Sequence, residues 1–182
     1  MNFIEAQEDM RKSYFGGGPG AFASGIVWLT AGITAVVNTA QTSVLIFFFG
    51  GMLIHPMGII LSKALKRSGK HKKGNPLSAL AVESTILLFI GLFIAYSVVQ
   101  IRPDWFFSIM ILIIGGRYLL FSTIYGMRMY WVFGATLILS GVGGLLLNLP
   151  FYLIGIIGGV IEILFSLLIM YFEKKRTLSI PR

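Results

Sequence analysis

Along this chain the apolar residues come in long blocks and the polar residues in short clusters between them. Crossing about 30 Å of hydrocarbon takes roughly 20 apolar residues at 1.5 Å each. Six blocks reach that length, at about 20–38, 42–64, 77–99, 105–125, 130–147 and 152–172. Turn chemistry separates them. Asn75-Pro76 reads as an N-cap followed by proline at the first helical position, and Pro103-Asp104 caps the fourth block. Asn148-Leu149-Pro150 divides the fifth block from the sixth, whereas the break from Asn38 to Thr42 is less sharply marked. The pattern predicts an all-α fold, a bundle of six transmembrane helices.

Ahead of the first block the pattern changes. Residues 2–15 are polar, with Phe3, Ala6, Met10 and Tyr14 spaced for one helical face. This predicts a short amphipathic helix over residues 1–15, lying on the cytoplasmic leaflet. Gly16-Gly17-Gly18-Pro19-Gly20 follows. No strand precedes it and no Gly-Lys-Ser comes after, so it reads as a flexible hinge over 16–20 rather than a phosphate loop. The transmembrane domain then occupies 20–172, with a basic tail over 173–182. Glu5, Glu8 and Asp9 precede Arg11 and Lys12, and the apolar block after them is too long for a cleaved secretory signal.

Composition agrees with a bilayer as solvent. Of 182 residues, 56% are hydrophobic and 12% charged, about half the charge a soluble domain carries. The net charge of +8 would suggest nucleic acid in a soluble protein, but here its placement argues otherwise. Basic residues gather in Lys63 to Lys73, in Lys174, Lys175, Arg176 and Arg182, in Arg11 and Lys12, and at Arg128. An even helix count puts all of these on one side and leaves only Arg102 opposite, so both termini are expected in the cytoplasm. Trp105, Tyr130, Trp131, Tyr152 and Tyr171 fall at the expected helix ends, where interfacial aromatic belts form. Lys66, Arg67, Lys70, Lys72 and Lys73 are candidates for anionic headgroups at roughly 1 kcal/mol per charge. The expected partners are therefore the bilayer and anionic lipid, and no nucleic acid.

Glycines add a faint repeat. Gly91 and Gly115-Gly116 recur 43 residues later as Gly134 and Gly158-Gly159, and Gly32 with Gly50-Gly51 is a looser copy. Three helical hairpins of like orientation would produce this; glycine pairs are also common in membrane helices. These pairs, with Gly155-x-x-x-Gly159, read as close-packing surfaces, within the bundle or between copies in a homo-oligomer.

The residues with chemistry are the ionisable ones inside the spans: His55, Glu83, Arg117 and Glu162. Each is costly in hydrocarbon unless paired or hydrated. Counting from the outer helix ends places them at about 15–21 Å, in one layer. The expectation is an Arg117–Glu83/Glu162 network inside the bundle with His55 nearby. Such a layer fits a site for a proton or small solute, and equally a structural cluster that holds helix register. Pro56 should kink the second helix and free the Met52 carbonyl beside His55. His55 itself reads as a titrating gate or as a satisfied core histidine. There is no cysteine, no metal-ligand spacing and no cofactor motif, so no metal or cofactor is expected. No catalytic set stands at a common depth, which leaves little basis for an enzyme.

Several stretches carry a resemblance. Glu5-Ala6-Gln7 through Met10-Arg11 into Gly17-Gly18-Pro19-Gly20 is one, and Gly50-Gly51-Met52-Leu53-Ile54-His55-Pro56 is another. With Ser68-Gly69-Lys70, Gly74-Asn75-Pro76 and Gly115-Gly116-Arg117-Tyr118, the chain resembles an uncharacterised family of small bacterial six-helix membrane proteins. That resemblance implies a multi-pass protein of the bacterial inner membrane and no particular activity. Helix count and glycine placement are also loosely similar to HdeD-type acid-resistance membrane proteins, which would imply a stress or proton-linked role.

Overall fold

A capping box opens the chain. The Asn2 side chain accepts from the Glu5 N–H at 2.9 Å while the Glu5 carboxylate accepts from the Asn2 N–H at 3.1 Å, so two orphan donors are satisfied reciprocally. This starts α1, Phe3–Ser13. Six long helices follow: α2 Gly18–Val37, α3 Ala40–Ala64, α4 Leu77–Val99, α5 Phe106–Tyr125, α6 Met129–Leu146 and α7 Phe151–Ser179. The computed structural model describes residues 1–179; Arg182 of the basic tail lies outside them. All six are long and apolar enough to cross a membrane, and the chain is a multi-pass membrane protein.

Two helix pairs form the centre, α2 with α7 and α5 with α6. Both are close because glycine faces backbone. A Cβ added at Gly159 would sit 2.7 Å from the Leu29 N, and one at Gly134 would sit 2.6 Å from the Gly115 O. Gly32, Gly115, Gly134 and Gly159 thus act where the second helix of one hairpin meets the first helix of another, whereas Gly50 and Gly91 pack within a hairpin against Val27 and Ile113. Between α3 and α4 there is no comparable seam, although they are consecutive. α3 packs on α2 and α4 on α5, and these two spans are the least buried. Gly51 on α3 faces open space. The centre is filled by aromatics, with Trp28, Phe47, Phe106 and Phe107 in mutual ring contact.

Four local expectations change. Gly16 and Gly17 form no hinge but a buried turn with φ of 66° and 82°. The Tyr130 hydroxyl donates to the Gly16 carbonyl at 2.6 Å, and a Cβ at Gly17 would meet the Tyr125 ring and Tyr130 hydroxyl at 2.6 Å. Tyr130 is accordingly a core residue rather than part of an interfacial belt. Asp104 makes no capping bond; Pro103–Trp105 is a short 3-10 turn leading into α5. The stretch after 172 stays helical to Ser179, because Glu173 to Arg176 are good helix formers and Glu173 is buried against Arg11 of α1.

At the end that carries α1 and the C-terminal part of α7, α1 does not lie free on a surface. Ala6, Met10 and Ser13 are buried against the bundle, while Phe3 and Ile4 are exposed. Arg11 pairs with Glu173 and Arg176 with Glu8. Gln7 donates to the Thr123 carbonyl at 2.7 Å. Asn75 caps α4 by accepting from the Leu77 N–H at 3.0 Å, and its amide donates to the Ala6 carbonyl and to Asp9. One helix thereby ties together the α3–α4 loop, the end of α5 and the extension of α7.

Candidate functional site

Glu162 and Arg117 are held apart by helix geometry. Successive residues on an α-helix point about 100° from each other, so Arg117 and Tyr118 on α5 serve different neighbours. Tyr118 turns to α7, where its hydroxyl donates to Glu162 Oε1 at 3.0 Å. Glu162 is fully buried, its Oε2 has no hydrogen bond of good geometry, and Ser24 on α2 stands beside the carboxyl. The Tyr118 ring stacks on Phe133 at 4.0 Å, and Phe133 stacks on Phe165 at 4.6 Å. Glu162 therefore sits buried beside an aromatic stack, with one firm donor among the described residues.

Arg117 turns to α4. Its Nε–H reaches Ser84 Oγ at 3.4 Å and its Nη2 reaches Thr85 Oγ1 at 3.1 Å. Both hydroxyls spend their own protons on the Ala81 carbonyl, which leaves their lone pairs as acceptors for the guanidinium. The Phe121 ring lies 5.2 Å from the Arg117 Cζ, a cation–π contact. Among the described residues no carboxylate comes within ion-pair distance of Arg117. The guanidinium borders a cavity of about 300 Å³ between α4 and α5, walled by Ser84, Leu87, Leu88, Ile113 and Leu120.

The four-residue network is thus not assembled. Glu83 is exposed without a hydrogen bond or ion pair among the described residues, because Ser84 and Thr85 occupy the face that α4 turns to α5. His55 and Pro56 are also exposed: α3 meets its neighbours through Phe47, Gly50 and Gly58 instead. α3 runs as one helix through Pro56. In the basic loop, Lys66, Lys70, Lys72 and Lys73 are exposed. Arg67 is committed elsewhere: it lies 4.5 Å over the Phe15 ring and donates to Thr177 at 2.8 Å. Among the described residues, no group of three or more His, Asp or Glu is placed to hold a metal.

Tyr118, Ser84 and Thr85 are the site residues that sequence reasoning passed over. Hydroxyls are common in membrane helices and carry no charge to mark them. The available signal was adjacency, since Tyr118 follows Arg117 and Ser84-Thr85 follows Glu83.

No curated protein and no solved structure matches this chain, and nothing accompanies the looser likeness to HdeD-type proteins. A family model does match, over residues 3–172, which takes in α1, all of α2 to α6 and most of α7. With that extent of match the chain belongs to the DUF7010 family, a family of unknown function.

Proposed function

We propose that this protein handles a proton or small charged solute within the membrane, as a transporter or channel-like bundle whose working group is Arg117. One observation supports the reading above others: a guanidinium inside a membrane span borders a cavity, and among the described residues no carboxylate lies within ion-pair distance of it. A cation there is costly unless something compensates it, and a purely structural arginine would be expected to hold a counter-charge. Both chain ends are taken to be cytoplasmic, because the four exposed loop lysines lie at the end where α1 and α7 meet. Those lysines are the contacts proposed for anionic headgroups.

A second reading has its own support. The buried Glu162–Tyr118 pair is what a structural, non-transporting membrane protein would use to set helix register.

Proteoliposomes holding a pH-sensitive dye discriminate between these readings. Under an imposed proton gradient, wild-type protein should give flux above empty liposomes, and Arg117→Gln should cut it at least tenfold. Flux no greater than in empty liposomes would leave the accessory reading. Because the chain has no cysteine, single-cysteine labelling tests the orientation cleanly. Lys73→Cys should react with an impermeant maleimide only in inverted vesicles; reaction in right-side-out vesicles reverses the assignment.

A further inference from the structure

We propose that the groove between α4 and α5 binds an anionic amphiphile from the bilayer, with a single oxyanion on Arg117 and its acyl chain along the leucine wall. The inference rests on the reading of Arg117 as a working group and adds the class of ligand.

A guanidinium has five N–H donors in a fork that suits carboxylate or phosphate. The Ser84 and Thr85 hydroxyls take one from Nε and one from Nη2. Among the described residues Nη1 makes no hydrogen bond, and it is not fully enclosed. A positive fork with unspent donors therefore faces accessible space.

Thr85 lies about 12 Å along α4 from Leu77, and Arg117 about 12 Å along α5 from Tyr125, at 1.5 Å per residue. Both partners are thus well inside the hydrocarbon layer, and the hydroxyls hold the guanidinium there rather than letting it snorkel. Any anion must shed water to reach that depth; an amphiphile offsets this cost because its chain already lies in the hydrocarbon and remains there when the head pairs with the guanidinium.

The walls give the rest. Leu87, Leu88, Ile113 and Leu120 are apolar, and Leu87 on the rim is 55% exposed. Gly116 leaves the floor open: a Cβ there would touch nothing within 4 Å. The volume of about 300 Å³ is at the lower end for small-molecule pockets, which suits a head and the first part of a chain that continues into lipid.

The test is binding of radiolabelled palmitate to the full chain in nanodiscs of neutral phosphatidylcholine. Saturable binding near one per chain is expected. Arg117→Gln and Gly116→Leu should each weaken it at least tenfold. Methyl palmitate, which lacks the charge, and acetate, which lacks the chain, should not compete. Gly116→Leu decides the matter if Arg117→Gln fails to fold, since the added side chain enters open space. Competition by phosphatidylglycerol would identify bilayer phospholipid as the source of the oxyanion, and its failure the free acid. Unsaturable binding, wild-type affinity in Gly116→Leu, or displacement by acetate at equal concentration would overturn the proposal. A protein that binds palmitate but shows no flux would keep the site and lose the transport reading.

Discussion

Arg117 and Tyr118 are neighbours in sequence, yet they belong to two environments. The arginine leans on the hydroxyls of α4 beside a cavity, and the tyrosine closes on a buried carboxyl of α7. The Tyr118 hydroxyl is the one donor with good geometry to Glu162. Interhelical hydrogen bonds in membranes average about 0.6 kcal/mol and reach about 1.7. With Oε2 already unpartnered, the upper part of that range applies. Tyr118→Phe should therefore lower stability by about 1–1.7 kcal/mol, read as an earlier thermal transition in detergent. No change in the transition would mean that Glu162 finds another donor and that this pair does not hold α5 to α7.

The four ionisable residues were visible from their rarity in apolar blocks, but their grouping was not. Depth along a helix follows from counting residues. Facing requires the rotation of each helix about its own axis, which packing sets. Glu83 and Thr85 differ by two positions, and that alone separates an outward carboxylate from a hydroxyl that meets Arg117.

Among the helices, glycine decides which pairs come close. Gly159 on α7 approaches α2 so nearly that an added Cβ would meet backbone at 2.7 and 2.9 Å. Backbone cannot rotate aside as a side chain does, so Gly159→Ala should cost about 1–3 kcal/mol through overpacking. Gly51 on α3 meets nothing within 4 Å, and Gly51→Ala should be neutral or gain up to about 1 kcal/mol of helix propensity. Paired thermal denaturation of the two variants tests the arrangement. Equal shifts would show that the α2–α7 contact is not the tight one. The repeat in glycine positions was legible as spacing. That Gly51 does no comparable work depends on α3 and α4 not packing against each other, a fact no spacing carries.

Over the whole molecule, the amphipathic N-terminal helix acts as a clasp under one end of the bundle. Burial pushes the Glu8 carboxyl up, but hydrogen bonds and charges from Arg176 and Lys12 outweigh it and hold its pKa below the ordinary glutamate value. A folded-state pKa that is depressed gives stability that is present above the unfolded value and lost as pH falls through the folded one. Docking of α1 should thus be complete near neutral pH and loosen only below the usual glutamate range. Hydrogen exchange of the α1 amides against pH measures this, with Glu8→Gln as the control that removes the Glu8 share of the dependence and leaves that of Glu5, Asp9 and Glu173. Protection in the wild type that is unchanged into strong acid would show that Ala6 and Met10 hold the helix without the ion pair.

Span length, helix count and the amphipathic N-terminal segment were all readable from the chain, because each depends on local composition and on the thickness of a bilayer. The gathering of basic residues in a few loops was equally plain. What the fold alone settled is which surfaces meet. The glycine turn at 16–17 became core because Tyr125 and Tyr130 close over it, and the charged layer split because adjacent residues on α5 face different helices. Local sequence sets the elements through hydrophobic period and capping. Their rotation and neighbours come from side-chain complementarity between segments far apart in the chain, and no single segment holds that information.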